Sequence, residues 1–98
     1  IAPGEVIYDD VLFFHAKLLM KLEKYEDALV SFSKIVAADT QGIYTDDVYF
    51  EMAELYKNKL NNPEKASEYY QKIIFEHASS IYLVDARKKY RELRGDKV

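Results

Sequence analysis

Apolar residues recur along the chain at spacings of three and four. Val11, Leu12, Ala16, Leu18, Leu19 and Leu22 form one such row, with His15 set among them. Ala28, Leu29, Phe32, Ile35 and Val36 form another. This is the period of a helix with a buried face. No stretch alternates strictly between apolar and polar over the length of a strand. The pattern predicts five helices, over residues 8–22, 25–38, 46–60, 63–77 and 82–94. It also puts His15 on the core-facing row, as a partly buried structural histidine. The breaks between helices have their own chemistry. Asp39-Thr40-Gln41-Gly42 supplies turn formers after the second helix. Asn61-Asn62 closes the third, and Pro63 opens the fourth at its first position, where the missing N–H is not needed. Gly95 falls just past the last helix, where a left-handed cap residue is favoured.

One short string introduces three of these helices: IYDDV at 7–11, IYTDDV at 43–48 and IYLVDA at 81–86. Aligning Asp10 with Asp47 gives a period of 37 residues, and Asp47 with Asp85 gives 38. The string is expected to start each helix. Asp9-Asp10, Asp46-Asp47 and Asp85 would face the positive end of a helix dipole and its unpaired N–H groups. The Ile–Tyr pairs would cover each start as a hydrophobic staple. The repeating unit is then a hairpin of helix A, tight loop and helix B. One hairpin cannot bury its apolar face alone, so such units stack. The organisation expected is one domain over residues 1–98: repeat one at about 8–39, repeat two at about 45–79, and a last helix at about 82–94. In register, Arg91 replaces Ala16 and Ala53, which would keep a partner helix away and make the last helix a cap with a wet outer face.

Composition narrows the function. Nine Tyr and five Phe with no Trp leave the core to smaller aromatics. No apolar run reaches the roughly 20 residues that span a bilayer. Cysteine is absent, which excludes disulfides and thiolate chemistry. The start, IAPGEVIYDD, lacks both an initiator Met and a signal-peptide pattern, and is expected to be the cut end of a longer protein whose C-terminal part this is. There is no phosphate-binding loop, nucleophile constellation or zinc motif. The paired aspartates have no His at ligand spacing and read as caps. No catalytic residue, cofactor or metal is therefore expected, and enzyme function is not. The net charge of −3 is split: residues 1–56 hold eleven acids and four bases, residues 57–98 six acids and ten bases. An acidic whole argues against a nucleic-acid partner.

The small and aromatic positions resemble a tetratricopeptide repeat. Ala16 and Ala53 sit mid helix A, with Leu19 and Tyr56 three residues on. Ala28 with Phe32, and Ala66 with Tyr70, match helix B, and KYEDALVSFSKIV is close to the usual second-helix pattern. Alanine lets two helix axes approach, and the aromatic fills the space beside it. The period is longer than the usual 34, Thr40 and Ala78 stand where proline often closes helix B, and His15 stands where Leu is usual. The IYTDDV-type start and the tail SIYLVDARKKYRELRGD resemble the C-terminal parts of tetratricopeptide proteins of Gram-negative, Bacteroidetes-like envelopes. That would put the protein in the periplasm or at the outer membrane.

The resemblance implies an all-α fold, a right-handed α-solenoid of two hairpins plus a C-terminal capping helix. It implies a non-catalytic scaffold that binds a peptide or protein partner in a groove lined by the A helices. In family register the groove positions are Asp10, Phe13, Phe14, Lys17 and Met20, then Asp47, Phe50, Glu51, Glu54 and Lys57, then Lys88 and Lys89 of the cap. Aromatic anchors carry much of the energy of such surfaces. Packing between neighbouring helices would use the same aromatics. Lys and Asn hold a peptide carboxylate in chaperone-binding relatives, and this groove has no Asn. Two other roles remain open. The chain could be an architectural end of a longer solenoid, with the partner upstream. Alternatively, the basic run at 87–94 could anchor it to an anionic surface. The face of the first helix could also support self-association.

Overall fold

The computed structural model describes residues 5–38 and 45–95, with side chains from Val11 onward and Ala38 excepted. Among the described residues the chain is all-helical, with five helices and no strand: α1 (Glu5–Lys21), α2 (Tyr25–Ala38), α3 (Thr45–Asn58), α4 (Pro63–Glu76) and α5 (Leu83–Arg94). The all-α expectation holds, with every helix end within three residues of the expected one and both ends of α2 unchanged. The chain divides into two compact units, Ile1–Val48 and Tyr49–Val98, described in turn.

In the first unit α1 and α2 pack on each other. The turn between them is a Schellman-type cap. Lys24 N–H bonds the Leu19 carbonyl at 2.8 Å and Glu23 N–H bonds Met20 at 3.0 Å, while Glu23 takes φ +61°. So short a connection folds the two helices into an antiparallel hairpin. Leu12, Ala16, Ala28, Phe32 and Ile35 are buried between them. Three expectations are corrected here. Helix α1 begins at Glu5, so Asp9 and Asp10 lie inside the helix instead of starting it; their side chains, like Ile43 and Tyr44, lie outside the described residues. His15 is exposed, with Nδ1 3.5 Å from Ser31 Oγ, and is not on the buried row. Val11, Leu18 and Leu22 are exposed too. The apolar row of α1 is two rows, and only one faces α2.

The second unit holds most of α3 with α4 and α5. Asn61, at φ +51°, turns the chain after α3, a conformation Asn tolerates better than most. Asn62 then caps α4: its side-chain oxygen accepts from Lys65 N–H at 3.2 Å, and Pro63 opens the helix as expected. Ala53, Ala66, Met52, Leu55, Tyr70 and Ile73 are buried. Tyr49 meets Tyr69 at 5.9 Å and Tyr56 stacks on Tyr69 at 5.8 Å, so rings fill the space that the alanines leave. Helix α5 packs on α4 and buries Ala86, while Arg87, Lys88, Arg91 and Arg94 face water. Gly95 ends it at φ +85°, as expected. The start of α5 departs from expectation. Asp85 lies in its first turn but makes no cap bond, and Ile81 is 85% exposed, so it staples nothing. Instead Ser80 Oγ accepts Tyr82 N–H at 3.0 Å and the Ser80 carbonyl accepts Leu83 N–H at 3.1 Å. A side chain two residues back does the work assigned to the aspartate.

Candidate functional site

In the second unit, Phe50, Glu54 and Lys57 fall at i, i+4 and i+7 on α3 and so share a face. Phe50 is half-buried. Its ring stacks on Tyr82 at 4.6 Å and 18°, and meets Tyr70 edge-on at 6.0 Å. One turn along, Glu54 is shared. One carboxylate oxygen accepts the Tyr70 hydroxyl and pairs with Lys89 Nζ of α5 at 3.5 Å; the other accepts Asn58 Nδ2 at 3.4 Å. The structure therefore brings together Phe50, Glu54 and Lys89, three positions assigned from register. Glu51 and Lys57 are half-buried and Lys88 is exposed.

Burial first, then the hydrogen bond and charge of Glu54, with Glu92 behind them, push the Tyr70 phenol well above its ordinary range. It is a neutral donor at any physiological pH. Glu54 thus links Tyr70 of α4 and Lys89 of α5 on this face. Further along, Gln71 Nε2 donates to Tyr90 Oη at 2.9 Å, and the Arg94 guanidinium lies over the Tyr90 ring at 5.3 Å. Tyr82, Tyr90 and Gln71 were missed by sequence reasoning. Tyr82 was legible only as a staple, although its place in the third copy of the repeated string marks it as recurring.

The remaining groove positions lie in the first unit. Phe13 is half-buried and meets Phe32 of α2 at 6.1 Å and Phe14 at 6.0 Å, both edge-on, so it is partly committed to the hairpin core. Phe14 is exposed; Lys17, Met20 and Asp47 are half-buried. Asp47 N–H is accepted by Asp46 Oδ1 at 3.0 Å, which satisfies one of the free donors at the start of α3. The side chain of Asp10 lies outside the described residues. Among the described residues no three His, Asp or Glu side chains converge as a metal site would need, and no helix is long and apolar enough to cross a membrane.

On an adjacent side of α3 a second aromatic group, Tyr49, Tyr69 and Tyr56, is capped by Lys72 over the Tyr49 ring at 5.7 Å and by His77 edge-on at 5.5 Å. Burial raises the Tyr49 and Tyr69 phenols above the ordinary value. This is packing chemistry.

The α1–α2 hairpin closed by a tight turn in the first unit, fully buried alanines in both units, and α5 packed on α4 in the second fit a helical-repeat protein. Residues 46–74, which take in most of α3 and α4 and under a third of the chain, match the family model described as Tetratricopeptide repeat. The match supports a tetratricopeptide reading on residues quite apart from the first hairpin. No curated protein and no solved structure matches the chain. Tetratricopeptide repeats generally mediate protein–protein interactions and are typically non-catalytic.

Proposed function

We propose that the chain is a non-catalytic binding module whose contact surface centres on Phe50, Glu54, Tyr82, Lys88 and Lys89. The observation that carries the reading is the half-exposed Phe50–Tyr82 stack, held one helical turn from the Glu54–Lys89 pair. Rings fixed by packing lose little freedom on binding, and aromatic anchors next to fixed charge are what a peptide groove uses. The partner favoured is a peptide or protein segment with an apolar side chain for the ring stack. An acidic group on that segment would meet the exposed cation Lys88.

Selection of displayed peptides against the 98-residue chain tests this. Selected peptides should bind Phe50→Ala at least about tenfold more weakly, the scale of losing one anchor. Because Phe50 also touches Tyr70, exposed Lys88→Glu serves as the variant that leaves the core alone. Acidic peptides should lose affinity for it while circular dichroism stays unchanged. Retained binding to both folded variants would refute the reading and leave the architectural role. That second reading draws on the exposed Arg87, Lys88, Arg91 and Arg94 face of α5, which suits the end of a helical stack or an anionic surface. We extend the proposal to a Gram-negative, Bacteroidetes-like envelope location, on the resemblance of the helix-start string and the tail alone. Fractionation of cells carrying the full-length protein checks it, and a purely cytosolic pool would overturn it.

A further inference from the structure

We propose, resting on the groove reading above, that Glu54 sets which charge the groove accepts. Its own carboxylate fills an anion site and so turns away an acidic group of the partner, one helical turn from the Phe50–Tyr82 stack.

Donors from three helices converge on this carboxylate. Oε2 accepts the Tyr70 hydroxyl of α4 and pairs with Lys89 Nζ of α5 at 3.5 Å, while Oε1 accepts Asn58 Nδ2 of α3 at 3.4 Å. One cation and two neutral donors around a single point suit a carboxylate, which only accepts. Tyr70 is wholly buried, so its hydroxyl is fixed in place. The Glu54 and Lys89 side chains are 24% and 28% exposed, so the site opens onto the groove.

The first hairpin shows that helix packing does not demand this polar set. At 37 and 38 residues back, Glu54 and Tyr70 correspond to Lys17 and Phe32. The acid is there a base, and the ring has no hydroxyl. Ala28 and Phe32 are nonetheless as fully buried as Ala66 and Tyr70. The ring belongs to the fold, and the hydroxyl with its carboxylate belongs to this groove.

Charge decides what approaches. Glu54 offsets Lys89, and Glu92 is a second acid whose charge bears on the Tyr70 hydroxyl. An incoming carboxylate finds the donors taken and like charge beside them, which discriminates against it. A neutral amide or a cation meets no such opposition. An acid on the partner is thus read at exposed Lys88 and refused at Lys89 beside it.

The anion site is tested without any peptide. Glu54→Ala vacates the carboxylate and leaves its three donors. Sodium acetate at about 0.5 M should raise the melting temperature of this variant about 3 °C more than sodium chloride of equal ionic strength does, as a weak ligand in excess stabilises a small domain. The amides of Asn58 and Lys89 should shift with it. Wild type, its site already filled, should show neither effect. Charge selection is read by fluorescence anisotropy on selected peptides, carrying Glu or Gln in turn at each position within three residues of the apolar anchor. At one position the Glu form should bind wild type about fivefold more weakly than the Gln form, the scale of one unfavourable charge contact. In the isosteric Glu54→Gln variant that penalty should vanish. An equal response of Glu54→Ala and wild type to acetate overturns the inference, and so does a penalty unchanged in Glu54→Gln. Failure to select any peptide overturns the groove reading and the charge selection with it, while the acetate result still decides the anion site.

Discussion

Tyr70 offers the sharpest test of how the second unit is held together. Its side chain is wholly buried, its ring meets Phe50, and its hydroxyl donates to Glu54. Tyr70→Ala should cost about 3–5 kcal/mol, the usual loss for a buried ring. Tyr70→Phe keeps the ring and removes only the bond. Bonds to charged groups contribute about 1.5–3 kcal/mol, but Glu54 keeps Lys89 and Asn58 and is partly solvated, so about 1–1.5 kcal/mol is expected. The pH dependence then has a defined sign. Below pH 10 the phenol is protonated in both folded and unfolded chains, and its contribution is complete. Above pH 10 the unfolded phenol ionises while the folded one, held higher, stays neutral. The unfolded state gains, and stability falls by about 1.4 kcal/mol per pH unit for this group. Phe cannot ionise, so the gap between wild type and Tyr70→Phe should close to near zero by about pH 11. Urea unfolding followed by circular dichroism at pH 7, 9, 10 and 11 measures it. A gap that stays constant across pH 9–11, or a Tyr70→Phe loss as large as that of Tyr70→Ala, would refute the reasoning.

Three further substitutions probe separate links. Ala53→Leu forces a larger side chain into a site with no solvent access, and should cost about 1–3 kcal/mol in urea midpoint analysis. Asn62→Ala removes the bond to Lys65 N–H and should cost about 1 kcal/mol, mostly recovered with Asn62→Ser. Gly95→Ala meets nothing within 4 Å of its new methyl, yet its φ of +85° should still cost about 1 kcal/mol, seen as faster amide exchange in the last turn of α5.

The elements that were legible in the sequence are those decided locally. Pro63, the Asn62 cap and the Gly95 cap act through their own backbone geometry, so residue type alone placed them. The alanines Ala16, Ala28, Ala53 and Ala66 were legible because a small residue at helical spacing has few other uses, and all four are fully buried. What escaped depended on which neighbour a face meets. The single apolar row read on α1 is two rows, since α2 covers only one side and leaves Val11, Phe14, Leu18, Leu22 and His15 outside. At α5 an aspartate in the first turn looked like a cap, but Ser80 reaches the Tyr82 amide first. Of the residues that lie together in the second unit, register had named Phe50, Glu54 and Lys89. It did not find the Tyr82 stack on Phe50, because a loop residue obeys no helical period.

The most direct measurement is amide chemical-shift mapping of the 98-residue chain, titrated with the tightest selected peptide. The account predicts that the largest shifts gather at Phe50, Glu54, Tyr82, Lys88 and Lys89. Shifts confined to α2, or to the Tyr49–Tyr56–Tyr69 side of α3, would contradict it.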